Sequence, residues 1–436
     1  MRESLIQPAI PPLGNRYRIA YCLPVFRPSD TTDTSILLQN LIMEKLKARG
    51  YALTLVAPKD MEDVICTVDL TDPKLVERTW SKTGWFNLAS RATWHLQRWL
   101  GIPYLNVFAN LRLYDAGLQC LPGHDIIQER IGLYKMGIAM ACKHLNLPYI
   151  LFFDSDEILE HDLFGTPIKG LLLRRASQAI RYNLANAARI LCVSTLAKTH
   201  LVNSWQIPNE KIEVFPNAVD VQRFCPDPGS RAEIKARLGI GEAPMLLFVG
   251  SFFPYQDIRT LLDGFARVVM DYPQARLVLV GEGEQYKEMV QYAGGLGLNG
   301  SVIFTGFLRH TDIPSMMSAA DIAIASYIRI KAEKFLGSSM KLVEYMSSGT
   351  AVIASDNGQI SEVIQDGFNG ILVPASDVNA LENAMKRLIG DSQFRQTLGQ
   401  QARKDAMQRF SWDTYISRLE SIYASVIEEH SHKAPY

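Results

Sequence analysis

Short apolar segments alternate with amphipathic helical patterns along most of this 436-residue chain. Most of these segments lack alternating polar residues, as is typical of strands covered on both faces of a parallel sheet. Strands and helices in alternation predict right-handed crossovers between parallel strands. Thirteen strands exceed one ordinary doubly wound sheet, so we predict an α/β protein with two Rossmann-like domains. The predicted strands cover residues 18–26, 52–58, 103–108, 125–128, 148–153, 189–193, 211–215, 245–250, 275–281, 302–306, 322–326, 351–355 and 370–373.

A proline-rich stretch marks the predicted domain boundary. Residues 216–230, PNAVDVQRFCPDPGS, contain three prolines and a glycine, as is typical of a linker. We therefore predict an N-terminal domain over residues 1–209 and a C-terminal domain over residues 210–410. Residues 411–429 show a helical apolar pattern with no strand after them, and this helix is predicted to pack back on the first domain.

The composition excludes several classes of function. Lys plus Arg equals Asp plus Glu at 45 each, whereas proteins that bind nucleic acid usually carry a basic excess, so no nucleic-acid partner is predicted. The six cysteines show no CxxC spacing and are predicted to be free thiols in a reducing compartment. Without an apolar leader or a run of about 18 apolar residues, the sequence predicts a cytoplasmic protein.

Four of the six tryptophans lie close together and are interspersed with basic residues. The residues are Trp80, Trp85, Trp94 and Trp99, with Lys82, Arg91 and Arg98. One interpretation is a helical insertion that packs on the first domain. The other is a surface that dips into a membrane interface or grips a lipid-linked acceptor, which would place the protein peripherally at the inner membrane face.

The stretch GSSMKLVEYMSSG combines a predicted helix start with a cation and a carboxylate. The amides of Gly337, Ser338 and Ser339 precede the helix, and a helix N-terminus favours an anionic group. Lys341 lies in the first turn, and Glu344 follows three residues later on roughly the same face. A cation at the phosphates and a carboxylate at the ribose hydroxyls suit a nucleotide diphosphate sugar. The alternative is a surface salt bridge between Lys341 and Glu344.

Four stretches in the second half resemble family 4 of the retaining glycosyltransferases. In order they are VFPNAVDVQRFCPDP, LLFVGSFFPYQDIRTLLDGFARV, ARLVLVGEGE with VIFTGFLRHTDIPSMMSAADIAIAS, and MKLVEYMSSGTAVIASDNGQISEVIQDGFNGILV. In the first half, ILCVSTLAKTHL and DIIQERIGLY are more weakly similar. The resemblance implies the GT-B fold, with a cleft between two Rossmann-like domains and a C-terminal helix that crosses back to the first. It also implies transfer of a sugar from a UDP- or GDP-sugar to an unknown acceptor with retention, without a metal or other cofactor.

The resemblance also shows where this chain departs from the family. Glu344 matches the second glutamate of the E-x7-E motif, which binds the donor ribose, but the first glutamate position holds Leu336. The usual Arg and Lys for the donor phosphates align with Ser251 and Gln256, so both cations are absent. In a subset of the family with a similar M-K-L-x-E-Y stretch, a lysine at the position of Lys341 replaces some of the lost charge.

The predicted donor site draws on several strand ends. Glycines after two strands let the backbone approach a ligand, although strand-end turns use glycine in any case. The resemblance places the donor base against backbone groups after VIFTG. The predicted donor-binding residues are Gly250, Ser251, Gln256, Gly281, Phe307, Leu308, Ser338, Ser339, Lys341, Leu342 and Glu344, with Arg329, Lys331 and Lys334 as further candidate cations.

In the first domain, the resemblance directs attention to residues 125–130. The family often has a histidine there near the transferred sugar, but His124 is out of register, so Glu129 or Arg130 would face the site. With Lys341, these two are the predicted catalytic residues, and they would steer an acceptor or stabilise developing charge. The alternative for this pair is a fixed salt bridge between the domains.

Asp154, Ser155 and Asp156 follow a predicted strand and resemble the metal-binding D-x-D motif of the GT-A glycosyltransferases. An aspartate after a strand often caps the next helix, and the second half matches the other fold, so no metal site is predicted. Asp156 and Glu157 are instead predicted to lie on the acceptor side.

Two other functions remain open from the sequence. Because the donor cations and the first glutamate are absent, the chain is alternatively a non-catalytic nucleotide-sugar-binding partner of an active transferase. A sugar-nucleotide epimerase of the same fold is the third interpretation, but it requires acid-base groups that the sequence does not place.

Overall fold

Two parallel-stranded sheets organise the chain in the computed structural model. The structure describes residues 16–26, 34–60, 62–68, 73–103, 105–163, 165–329 and 336–433, without the side chains of residues 34–37 and 433. The described chain divides into a first unit, which runs to Phe215 and resumes at Ile416, and a second unit from Pro216 to Tyr415.

The first unit contains a seven-stranded sheet with the order β3-β2-β1-β4-β5-β6-β7. All neighbouring strands are parallel except β2 and β3. All five residues of the central strand Tyr149–Phe153 are buried, which confirms that helices cover both faces of the sheet. The strands are β1 (Arg18–Cys22), β2 (Ala52–Pro58), β3 (Val64–Thr67), β4 (Ile126–Arg130), β5 (Tyr149–Phe153), β6 (Arg189–Cys192) and β7 (Ile212–Val214).

Seven α-helices and two short 3-10 turns connect these strands in the described residues. Trp80–Lys82 and Asn209–Lys211 form the 3-10 turns. The helices are α1 (Thr34–Ala48), α2 (Gly84–Trp99), α3 (Val107–Cys120), α4 (Gly137–Leu145), α5 (Glu157–Leu163), α6 (Gly170–Asn186) and α7 (Thr195–Trp205).

The second unit contains a six-stranded, fully parallel sheet with the order β10-β9-β8-β11-β12-β13. Its strands are β8 (Met245–Val249), β9 (Arg276–Val280), β10 (Val302–Gly306), β11 (Ile322–Ala325), β12 (Ala351–Asp356) and β13 (Ile371–Pro374). Its helices are α8 (Pro228–Arg237), α9 (Ile258–Asp271), α10 (Tyr286–Gly295), α11 (Ile313–Ala319), α12 (Met340–Ser347), α13 (Ile360–Val363), α14 (Val378–Gly390) and α15 (Ser392–Arg409). Pro254–Gln256 forms a 3-10 turn.

The last helix, α16 (Trp412–Lys433), begins in the second unit and packs on the first from Ile416 onward. The Tyr423 hydroxyl is buried and donates a hydrogen bond to the Gln128 side chain on β4. Glu420 lies 2.9 Å from Arg49. The prediction that the C-terminal helix returns to the first domain is therefore confirmed.

The structure differs from the predicted strands at two places. The predicted strand over residues 103–108 is absent from its described residues, 103 and 105–108, because Asn106 adopts a left-handed backbone (φ 54°) and Val107 begins α3. The sheet instead contains Val64–Thr67, an antiparallel strand that the predicted pattern omitted. Its brevity and the charged residues around it conceal it in the sequence.

The division between the units falls between Phe215 and Pro216 rather than after residue 209. Strand β7 pairs with β6, so it extends the first sheet instead of starting the second. The proline-rich stretch that follows packs on the second unit. The Val219 amide donates to the Phe410 carbonyl at 2.8 Å, and Asp227 caps the start of α8.

Candidate functional site

Helix α12 begins beside the carboxyl end of strand β8, and Tyr345 fixes the two together. The backbone amide of Val249 donates to the Tyr345 hydroxyl at 2.7 Å, and the tyrosine is fully buried. Burial raises the pKa of Tyr345 well above its ordinary value, so the hydroxyl stays neutral. This contact sets which face of α12 points toward the end of β8.

Lys341, in the first turn of α12, places its ammonium at that strand end. The Nζ atom donates to Gln256 Oε1 and lies 4.2 Å from the centroid of the Phe248 ring and 5.0 Å from that of Tyr327. A Cβ atom built on Gly250 would lie only 3.1 Å from this nitrogen. Burial among these groups lowers the pKa of Lys341 to about 7. Gly250 and Gln256, from one of the matched stretches, therefore meet Lys341, from another, at one point.

Side chains from other segments hold the start of α12. The hydroxyls of Ser339 and Tyr327 are 2.8 Å apart. The side-chain amide of Asn217 donates to the Ser338 carbonyl at 3.5 Å, and its buried Oδ1 has no partner among the described residues. Leu336, at the position of the family's first glutamate, is buried at 3% exposure. The start of the helix is thus fixed by polar contacts while one acceptor oxygen beside it lacks a donor.

Gly281 follows strand β9 and lies against the backbone of Gly250. Its φ is +131°, and a Cβ atom there would lie 1.9 Å from the Gly250 carbonyl oxygen. The Gly281 amide also donates to the Gly306 carbonyl at 2.9 Å. The glycine is required here because two loop backbones approach each other, in addition to any approach by a ligand.

Glu344 lies on α12 one turn after Lys341 and is almost completely buried. Its Oε1 atom lies 3.4 Å from Nε2 of His310, in the turn after β10. Arg223 donates to the His310 carbonyl at 2.6 Å and holds this turn in place. The predicted alternative, a salt bridge between Lys341 and Glu344, does not form between these two described residues, because their side chains have other partners.

The turn after β10 also contains the two residues predicted to face the donor base. Phe307 is exposed, whereas Leu308 is half-buried against the core of the second unit. His310 was not predicted, although it stands two residues beyond Leu308 in the same turn. Only the fold brings this turn next to Glu344, so the sequence alone does not reveal the contact between His310 and Glu344.

The remaining predicted donor-side residues have varied surroundings. Ser251 Oγ lies 3.4 Å from the Tyr255 hydroxyl, and Leu342 is buried in the core of the second unit. The exposed Arg329 donates its backbone amide to the Ser376 hydroxyl at 3.1 Å. Lys331 and Lys334 lie outside the described residues.

Glu129 and Arg130 end strand β4 in the first unit. Glu129 is buried and accepts a hydrogen bond from the Tyr149 hydroxyl at 2.6 Å, and burial raises its pKa to about 8. Arg130 pairs with Asp154 at 2.7 Å. That ion pair joins β4 to the residue after β5 within the first unit, so it differs from the interdomain salt bridge considered as the alternative.

Both carboxylates of the D-x-D stretch have protein partners. Asp154 contacts Arg130, and the buried Asp156 lies 2.8 Å from His200 Nε2 and accepts from Trp205 Nε1 at 2.9 Å. The Glu157 carboxylate accepts from the Leu133 amide at 3.1 Å, and burial raises its pKa to about 7. Among the described residues, no group of three or more His, Cys, Asp or Glu side chains is arranged to hold a metal ion.

Two family models match the two halves of the chain. Residues 41–223 match the model described as Glycosyltransferase Family 4, and residues 230–405 match the model described as Glycosyl transferases group 1. Together the models span most of both units.

Curated relatives match a little over half of this chain. A GDP-mannose-dependent alpha-(1-6)-phosphatidylinositol monomannoside mannosyltransferase of Mycolicibacterium smegmatis is 26% identical over 256 residues, 58% of this chain and 67% of that protein. An alpha-D-kanosaminyltransferase of Streptomyces kanamyceticus is 23% identical over 252 residues, 58% of this chain and 64% of that protein. The matched segment therefore spans about two thirds of each relative.

A crystal structure of Anabaena HepE in complex with UDP has the same fold as this chain. The TM-score is 0.69 at 18% identity, over 94% of this chain and all of the other. This likeness shows the fold, and the two family models show the class of protein. The chain is a glycosyltransferase with the GT-B fold, whose first half matches the Family 4 model and whose second half matches the group 1 model.

Proposed function

We propose that this glycosyltransferase uses a UDP- or GDP-sugar, and that the donor diphosphate binds between the end of β8 and the start of α12. The observation that carries the proposal is the Lys341 ammonium, which lies on a partly buried side chain beside Gly250 and Gln256 without a carboxylate partner among the described residues. A buried cation without a counter-ion is unfavourable, and an anionic ligand would neutralise it. Gln256 stands where a family cation is missing, so Lys341 supplies positive charge from another element.

The neighbouring groups suit the rest of the donor. Backbone amides at Ser338 and Ser339 precede α12 and favour a phosphate. Glu344, on the same helix, would accept from the ribose hydroxyls, with His310 beside it. The exposed turn at Phe307 and Leu308 would contact the base through its backbone. The groups proposed for the donor phosphates and those proposed for its nucleoside thus lie along α12 in the order expected of one bound nucleotide sugar.

We propose that transfer retains the anomeric configuration and proceeds without a protein nucleophile. The bond between the anomeric carbon and the departing phosphate oxygen breaks while the acceptor oxygen bonds to that carbon from the same face. The acceptor proton passes to the departing phosphate, and a nucleoside diphosphate leaves. Lys341 and the amides before α12 would stabilise the growing phosphate charge, so the proposal requires no metal ion.

We propose that the acceptor binds at the ends of β4 and β5. Arg130 and Glu157 are partly exposed there and would contact the acceptor. Glu129 and Asp156 are buried and would hold these neighbours in position.

A panel of UDP- and GDP-sugars tests this function directly. One donor at about 100 times its Kd should stabilise the folded chain by about 2.7 kcal/mol, seen as a higher Tm. The same donor should release its nucleoside diphosphate slowly in water and faster with an acceptor. Stabilisation without any release would favour the non-catalytic alternative, and no response to any donor would contradict both.

Replacing Glu344 by glutamine is expected to raise the donor KM by roughly 10- to 100-fold with little change in kcat. The carboxylate would accept charge-assisted hydrogen bonds from the ribose, and one such bond contributes roughly 1.5–3 kcal/mol. Steady-state kinetics with the donor varied will measure this. Glu288→Gln, an exposed site on α10, is the matched control and should leave KM unchanged. An equal KM for Glu344→Gln and the parent would remove Glu344 from the donor site.

Donor affinity is expected to fall as pH rises above 7. The pKa of Lys341 is about 7 in the free protein, so above that pH the amine must take up a proton when the diphosphate binds. The Kd for the nucleotide sugar should rise by up to about tenfold per pH unit between pH 7 and 9. Calorimetry in buffers of different ionisation enthalpy will measure the affinity and the proton uptake. In Lys341→Met, proton uptake should disappear and the remaining Kd should not follow this slope.

A further inference from the structure

Helix α2 in the first unit has its apolar side chains on the outside. Its most exposed large residues are Trp85 and Trp99, each 81% exposed, and Leu88, 64% exposed. Leu96 is exposed as well. These four residues, Trp85, Leu88, Leu96 and Trp99, fall on one side of the helix at its 3.6-residue period and are called the tryptophan face below. In contrast, the two tryptophans outside this region, Trp205 and Trp412, are buried.

The opposite side of α2 contacts the first unit through polar groups and through Phe86, whose ring centroid lies 5.2 Å from that of Phe108. Ser90 is buried, and its hydroxyl lies 3.2 Å from the Arg112 guanidinium on α3. Gln97 accepts from the Leu105 amide at 3.3 Å. Ser81, which precedes α2, donates from its amide and its hydroxyl to the buried Asp115 carboxylate on α3. These contacts hold α2 with most of its large apolar side chains outward, which is the reverse of an ordinary surface helix.

The charge around the tryptophan face has one sign. Residues 79–114 contain no Asp or Glu, although acidic and basic residues are equal in number over the whole chain. Lys82, Arg91 and Arg98 are all exposed, and Arg98 lies 5.5 Å from the ring of Trp94. An apolar face whose own segment carries only cations suits a surface that is both apolar and anionic.

A neighbouring helix extends the same chemistry. Arg175 of α6 donates to the Leu105 carbonyl at 3.2 Å, and the amide of Leu105 bonds to Gln97 of α2. Near the start of α6, Leu171 and Leu173 are 50% and 37% exposed. Lys169 and Arg174, also exposed, lie among them. Leu105 therefore links α2 to an element that also carries exposed apolar and basic side chains.

We propose that the tryptophan face binds the interface of an anionic lipid bilayer, with α2 lying in the plane of the membrane. Tryptophan and leucine would enter the region between headgroups and acyl chains, while Arg91 and Arg98 contact lipid phosphates. Contact at the surface is the mode that fits, because no described helix is long and apolar enough to cross a bilayer. This inference is independent of the donor site, which lies in the second unit.

Sedimentation of the full chain with lipid vesicles tests the proposal. Vesicles of phosphatidylcholine with about one third phosphatidylglycerol should bind the chain, whereas pure phosphatidylcholine should bind it much less. Trp85→Ser/Leu88→Ser/Trp99→Ser should reduce partitioning by at least roughly tenfold, because apolar area is lost from the interface. Arg91→Gln/Arg98→Gln should weaken binding to the anionic vesicles by roughly fivefold for each arginine.

A matched control separates this surface from exposed apolar residues in general. Met270→Ser/Phe368→Ser/Met407→Ser removes three exposed apolar side chains from the second unit and should bind vesicles like the parent. Both triple variants should keep the parent's Tm and donor affinity, because the changed side chains are exposed. The proposal is overturned if the parent does not bind anionic vesicles, or if the control variant loses as much vesicle binding as the tryptophan variant. It is also overturned if the parent dimerises without lipid and the tryptophan variant does not, since a second copy would then cover the face.

Discussion

Lys341→Met is expected to lower kcat for sugar transfer by roughly 10²- to 10³-fold, because one preorganised donor of positive charge is lost from the departing phosphate. Methionine has a similar length and fits between the Phe248 and Tyr327 rings that surround the ammonium. The loss should therefore come from the missing charge rather than from a cavity. Single-turnover measurements with saturating donor will separate the chemical step from donor binding.

The same variant is expected to be more stable than the parent near neutral pH. The folded protein lowers the pKa of Lys341 to about 7, whereas the unfolded chain keeps it near 10.5. Between these two values the unfolded state binds more protons, so parent stability rises with pH across that window. Removing the ammonium should thus stabilise the fold by roughly 1–4 kcal/mol at pH 7 or below, and by less at pH 9. Urea denaturation at pH 6.5 and 9 will measure the difference.

Lys287→Met supplies the control for both effects. Lys287 lies exposed on α10 in the same unit, and its replacement should change stability by less than about 0.5 kcal/mol and leave kcat unchanged. A gain in stability at the expense of activity is the pattern of a residue retained for function. Undiminished turnover in Lys341→Met would contradict the assignment.

Most of the fold follows from features that are local in sequence. Buried strands such as Tyr149–Phe153 appear as uninterrupted apolar runs because helices cover both faces of the sheet. The pattern does not specify which sheet a strand joins. Ile212–Val214 was therefore assigned to the wrong half, since only pairing with Arg189–Cys192 places it in the first unit. The short antiparallel strand Val64–Thr67 was missed because four residues provide too little periodicity.

The candidate site could be predicted in composition but not in its contacts. Helix periodicity brings Lys341 and Glu344 to one region of the chain. It does not predict that Lys341 bonds Gln256, 85 positions away, or that Glu344 contacts His310. Both contacts depend on the order β10-β9-β8-β11-β12 in the sheet, which brings the ends of strands that are distant in sequence to one edge of the sheet. The tryptophan pattern, similarly, left open which side of α2 would face outward.

Gly281→Ala is expected to destabilise the second unit by more than about 3 kcal/mol. The new methyl group would lie 1.9 Å from the Gly250 carbonyl oxygen, and the φ of +131° is unfavourable for any residue with a Cβ atom. Neither strain can be relieved by a side-chain rotation, because the obstacle is backbone. Urea denaturation followed by circular dichroism will give the loss in free energy of unfolding.

The effect of Gly281→Ala should extend to the donor because of the bonds around this residue. The Gly281 amide donates to the Gly306 carbonyl. The amide of Gly250, which lies next to the Lys341 ammonium, donates to the Val280 carbonyl. Displacing Gly281 therefore moves both the phosphate end and the turn proposed for the base, and donor affinity should fall along with stability. Gly295→Ala is the matched control, since a Cβ atom at the end of α10 meets nothing within 4 Å. Alanine there should be neutral or stabilise the helix by up to about 1 kcal/mol. If both alanine variants unfold at the same urea concentration as the parent, the close contact between the Gly250 and Gly281 backbones does not limit stability, and the donor site is more adaptable than this geometry requires.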